Sequence, residues 1–264
     1  MAEIMRSSIG SPSPFRAAAR KAVALGIVVL SAGVPGYAAA QVSDYEACLK
    51  LAETDPATAR EAAARWEAIG GGAPSRHCGA VALMGLGANK QAAEILTGIG
   101  TEPGALSASD RAAALQLAGQ LWLEEGQTNL AQQTFYAAYT LVPTDPTPLI
   151  GAARAAAAAG SFDVAEKHLS NANALKPSDP QVLTLRASAR RSQNRLQEAL
   201  ADATLATDLA PNVALSWFER GAAERALGMQ IAARESWLQA SQLDPTGAAG
   251  DLARLNLQRM VLEE

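Results

Sequence analysis

The stretch Ala214–Gly247, ALSWFERGAAERALGMQIAARESWLQASQLDPTG, carries Pro245, which falls 34 residues after Pro211; Pro177 and Pro143 continue the same spacing backwards. Other columns keep step. Ala131, Ala165, Ala199 and Ala233 form one, Ala138, Ala172, Ala206 and Ala240 a second, and Leu141, Leu175, Leu209 and Leu243 a third. Gly126, Gly160, Asn194 and Gly228 form a fourth, in which the one non-glycine readily tolerates a left-handed backbone. Gly119, Ala153, Ala187 and Gly221 form a fifth, small throughout. A fixed period of this length marks a stacked repeat, in which each unit buries its apolar face against the next.

Each column has a physical reading. The Gly/Asn column ends one helix and turns the chain into another. The small columns, one on each helix, let the two backbones approach, and Trp122, Phe135, Leu169, Trp217 and Trp237 fill the gap. The proline column ends the second helix, because proline has no N–H to continue it. Asp145, Ser178 or Asp179, and Asn212 are then the expected N-caps of the following units, with Pro146 and Pro180 at the first helical position.

On these residues the chain resembles the tetratricopeptide repeat family. Ala214–Gly247 matches best, through Trp217, Gly221, Gly228, Ala233, Trp237, Ala240 and Pro245. The resemblance implies an all-α fold, an α-solenoid of helix-turn-helix repeats wound into a right-handed superhelix. Residues 107–247 hold four repeats (112–145, 146–179, 180–213 and 214–247), and 180–213 departs most, with Ala203 in place of an aromatic and Arg186 and Arg190 in its first helix. Residues 41–106 read as degenerate N-terminal helical repeats: Tyr45–Glu53 with Ala57–Ile69, then a loose unit over Ala73–Leu106. Gly98–Ser109 reads as a spacer, with Ser107 to Asp110 a capping box. Residues 248–264 supply a solvating cap helix over Asp251–Leu262.

Composition agrees with helices. Of 264 residues, 49% are hydrophobic and only 5% aromatic, which with abundant alanine excludes disorder and an all-β fold. The charge of −4 makes nucleic-acid binding a poor reading. Residues 1–40 read as a secretory signal peptide: Arg6, Arg16, Arg20 and Lys21, then the apolar run Ala22–Leu30, then Pro35 and the small pair Ala38 and Ala40. That run is too short to span a bilayer, so the expectation is cleavage after Ala40 rather than a retained anchor, release to a periplasm and no membrane insertion afterwards. Losing four basic residues and one acidic residue takes the charge from −4 to −7. Cys48 and Cys78 are the only cysteines, stand on the first helices of two successive units and enter an oxidising compartment. They are expected to form a disulfide; the alternative is a pair of buried thiols.

Catalytic motifs are missing from the sequence: no P-loop, HExxH, Gly-x-Ser-x-Gly or dinucleotide fingerprint occurs. Gly70-Gly71-Gly72 reads as an inter-helix loop and His168 as a helix-surface residue. Adjacent His77 and Cys78 splay too far apart on a helix for joint metal ligation. The acidic residues read as solvent-facing. No catalytic residue, metal or cofactor is expected. The resulting reading is a non-enzymatic periplasmic adaptor or assembly scaffold whose partner is another protein or peptide segment, an envelope protein. The alternative is a helical-repeat enzyme or the regulatory subunit of an envelope enzyme. The family resemblance implies a concave groove lined by first helices, here Gln116, Gln120 and Glu124, then Thr147, Ile150 and Arg154, then Gln181, Thr184, Ser188 and Arg191, then Leu215, Phe218 and Arg225. Its three arginines, beside an exposed Phe218, suggest an acidic and apolar ligand segment, unless they pair with neighbouring helix acids. Intact-mass analysis of the protein recovered from the periplasm should show an N-terminus at Gln41; a membrane-bound product retaining earlier residues would contradict the export reading.

Overall fold

The computed structural model describes residues 44–104 and 106–263, so the expected signal peptide lies outside the described residues. Those residues are helical, without a strand, and fall into two compact units that divide between Gly126 and Gln127. The first unit holds α1 (Tyr45–Thr54), α2 (Pro56–Ala68), α3 (Gly72–Gly85), α4 (Asn89–Thr101) and α5 (Ala108–Glu124). The second holds α6 (Thr128–Leu141), α7 (Thr147–Ala158), α8 (Phe162–Leu175), α9 (Pro180–Ser192), α10 (Leu196–Leu209), α11 (Ala214–Ala226), α12 (Gln230–Leu243) and α13 (Ala248–Glu263).

In the second unit the 34-residue period becomes a repeated turn. Gly160, Asn194 and Gly228 have φ of 78°, 61° and 79°. At each the following N–H reaches back to the last turn of the helix: Ser161 to the Ala156 carbonyl, Arg195 to Arg190 and Met229 to Glu224, all at 2.9 Å. This bond satisfies a carbonyl that the helix end would otherwise leave open.

The eight alanines of the two columns are fully buried. They bring the helices close enough for Trp237, 3% exposed, to lie on Gly221, where a Cβ would stand 2.7 Å from the ring. The indole N–H donates to the Phe218 carbonyl at 3.2 Å.

The caps follow the sequence in part. The Asp179 side chain accepts from the Gln181 N–H at 2.9 Å, while Ser178 takes the left-handed turn with φ 61°. Ser107 accepts from the Asp110 N–H at 3.1 Å; the Asp145 side chain accepts from the Thr147 N–H at 2.9 Å, but Pro146 takes the cap position and α7 begins at Thr147 rather than at the proline. Asn212 is not a cap. The turn ends with the Val213 N–H on the Ala210 carbonyl, so Val213 takes the cap position and α11 begins at Ala214. Nor is Gly98–Ser109 all spacer. It contains the last turn of α4, where Gly100 lies so close to Leu115 of α5 that a Cβ would stand 2.3 Å from it. The solvating cap also needs correction: α13 packs Ala253, Leu257 and Met260 inward, yet Val261 and Leu262 are 62% and 86% exposed.

In the first unit Cys48 of α1 and Cys78 of α3 are disulfide-bonded, with Cα atoms 6.1 Å apart and both residues fully buried beside Ala63 and Trp66. One turn away, Tyr45 Oη and His77 Nδ1 are hydrogen-bonded at 2.8 Å. These two links fasten α1 to α3. Burial lowers the His77 pKa to about 4 from an ordinary 6.5. The unfolded chain therefore takes up this proton first as pH falls, and the fold loses stability below pH 6.5. Between pH 6.5 and 5 the loss from His77 should reach about 2 kcal/mol. Urea unfolding across that window should show a steeper decline in the wild-type protein than in His77→Gln; parallel declines would contradict the assignment.

Candidate functional site

The first helices of the repeats in the second unit, α7, α9 and α11, are not evenly spaced. α9 packs against α11, whereas α7 stands further from α9. Two polar links close the α9–α11 seam: Thr184 Oγ1 and Ser216 Oγ lie 2.7 Å apart, and Arg191 donates from Nη2 to Glu219 Oε2 at 2.9 Å. On the α7 side a cleft of about 200 Å³ opens, floored by Ala157, Leu169, Leu185 and Ala189 and bordered by Arg154, Leu215 and Glu219. Its lining is chiefly apolar. Burial lowers the Arg154 pKa, because a partly desolvated guanidinium holds its charge less readily.

The residues expected in the groove meet different fates. Arg154, Thr184, Ser188 and Leu215 line the cleft. Gln181 is exposed at the start of α9 and Arg225 is half-buried at the end of α11; neither lines it. Gln116 and Gln120 are half-buried on α5, in the first unit. Arg191 is held by Glu219, itself 5% exposed, so its bidentate capacity is directed within the protein. Phe218 is not an exposed anchor. It is 8% exposed, because α13 packs over α11 and encloses it with Trp237 and Met260.

Several acids expected at the surface are buried and salt-bridged. Asp202, 6% exposed, accepts both Nε and Nη2 of Arg186 at 2.8 Å and Nη1 of Arg190 at 2.9 Å. Arg190 and Arg195 also donate to Glu166. Burial raises the Glu166 pKa, but those two arginines more than offset it and hold the carboxyl below its usual value. Glu224, 2% exposed, accepts from Arg220 at 2.9 Å and from Ser236 at 2.7 Å.

A sixth column explains this arrangement: Thr134, His168, Asp202 and Ser236 stand 34 residues apart and are all buried. The column is legible only once burial is known, since its residues share polarity but not type. His168 is accordingly not a surface residue; it is 9% exposed, against Tyr136 and within 3.3 Å of Gln132 Nε2. Among the described residues no group of three or more His, Cys, Asp or Glu could hold a metal ion. His77 and Cys78 are engaged by Tyr45 and Cys48.

Residues 123–189 match the family model described as Tetratricopeptide repeat. The fold is that of the tetratricopeptide repeat. The C-terminal part of a TPR repeat-containing protein from Cytophaga hutchinsonii superposes with a TM-score of 0.63 at 18% identity, covering 81% of this chain and 84% of that one. YrrB, described as a TPR protein with an unusual peptide-binding site, superposes with a TM-score of 0.54 at 16% identity, covering 74% and 98%. The Hsp70-Hsp90 organizing protein of Triticum aestivum is 36% identical over 92 residues, which are 35% of this chain and 16% of that protein. The chain thus spans a small part of that relative's length.

Proposed function

We propose that the protein is a non-enzymatic interaction module, exported to the periplasm, that binds a segment of another envelope protein on the α7–α9–α11 face. The observation that carries this reading is the open, apolar cleft beside α7. Its size suits a side chain of a polypeptide better than a free ligand, whose pockets usually run from about 300 Å³ upward. Because Arg191 is neutralised by Glu219, docking rests on the apolar floor more than on capture of a partner's acids. A matched relative named for organising Hsp70 and Hsp90 supports a protein partner. Export rests on the basic, apolar and small-residue succession of residues 1–40.

A photo-crosslinking residue at Ala158, exposed at the cleft, should yield a discrete adduct in the periplasm, and one at Gln197, exposed on α10, should not. Ala157→Glu, which places a charge against the apolar floor, should reduce the Ala158 adduct about tenfold. Adducts from Gln197 alone, or equally from both positions, would move the binding face elsewhere.

A further inference from the structure

The outward face of α12 differs from that of every other second helix in its unit. Ile231, Arg234, Glu235 and Leu238 stand at i, i+3, i+4 and i+7, so they share one face, and all four are exposed. The corresponding residues are Asn129, Gln132, Gln133 and Tyr136 on α6, and Asp163, Glu166, Lys167 and Ser170 on α8. On α10 they are Gln197, Leu200, Ala201 and Thr204. Only α12 pairs two apolar residues with one base and one acid between them, and Ile231, at 78% exposure, is the most exposed large apolar residue on it.

The order of these four residues reads as apolar, base, acid, apolar, with equal spacing on either side of the Arg234–Glu235 midpoint. A two-fold axis through that midpoint lays α12 antiparallel to its own copy. Arg234 then faces Glu235 of the second copy, and Ile231 faces Leu238 of the second copy, each contact occurring twice. Beside Leu238 the structure already has a shallow cleft of about 200 Å³, lined also by Arg234, Leu257, Met260 and Val261. It lies where the second copy's Ile231 would arrive. The exposed Val261 and Leu262 of α13 extend the same apolar surface.

We infer that α12 and the end of α13 form a self-complementary surface that takes a second copy of this chain. The charge order supplies the specificity: parallel or shifted alignments set Arg234 or Glu235 against its like, or leave both apolar residues in water.

Sedimentation equilibrium of the purified protein should show a concentration-dependent dimer. Arg234→Glu sets acid against acid twice in each dimer and should weaken association about tenfold, as should Glu235→Arg. The exchanged pair R234E/E235R restores base against acid and should recover the wild-type dissociation constant. Ile231→Asp should leave a monomer with unchanged helicity by circular dichroism. A wild-type protein that stays monomeric at every concentration, or a dimer indifferent to the single charge reversals, would overturn the inference.

Discussion

Backbone proximity between successive helices is the constraint on which the second unit depends. Eight alanines without exposed surface stand in two columns along the second helices, and close packing around a buried methyl group leaves little room for a larger side chain. Once the distance is set, the larger residues have defined seats, as Trp237 does over Gly221 and Phe135 over Gly151. The turns follow too, because a helix that ends against such a neighbour must reverse within a few residues. Left-handed residues such as Gly160 and Asn194 allow that reversal while closing the last carbonyls.

The third and fourth repeats also have a polar interior, around Asp202 and Glu224. Where Ala203 stands in place of an aromatic, the apolar filling is smaller, and Arg186, Arg190 and Asp202 meet between α9 and α10. Such a cluster contributes little net stability over an apolar one, but removing one partner would leave a buried charge without its counter-ion. It fixes which side chains face one another more than how strongly they hold. The Arg191–Glu219 pair acts similarly between α9 and α11: it closes one seam of the first-helix face and leaves the apolar cleft beside α7 as the open one.

Much of this was legible in the sequence because period and residue size are one-dimensional properties. The Gly/Asn column located the helix reversals, including the one that uses Asn194, and two lone cysteines in neighbouring units indicated the link found between α1 and α3. What the period does not carry is which neighbour covers a given face. Phe218 sits at a position that the family resemblance assigns to the groove, but here α13 lies over it. His168 and Asp202 read as surface residues because polarity was taken as exposure, whereas both have partners inside. The Arg191–Glu219 pair spans two repeats, and charge alone did not distinguish it from arginines turned to solvent.

Urea unfolding of leucine variants along α10 tests the central role of this spacing most directly. Leucine is nearly as good a helix former as alanine, so a difference between sites reports packing. Ala199→Leu and Ala206→Leu, both at fully buried positions, should each cost about 1–3 kcal/mol through overpacking. Ala201→Leu, on the exposed face of the same helix, should change stability by less than about 0.5 kcal/mol. Equal stability for all three variants would contradict the account, because the alanine columns would then not set the distance between the helices.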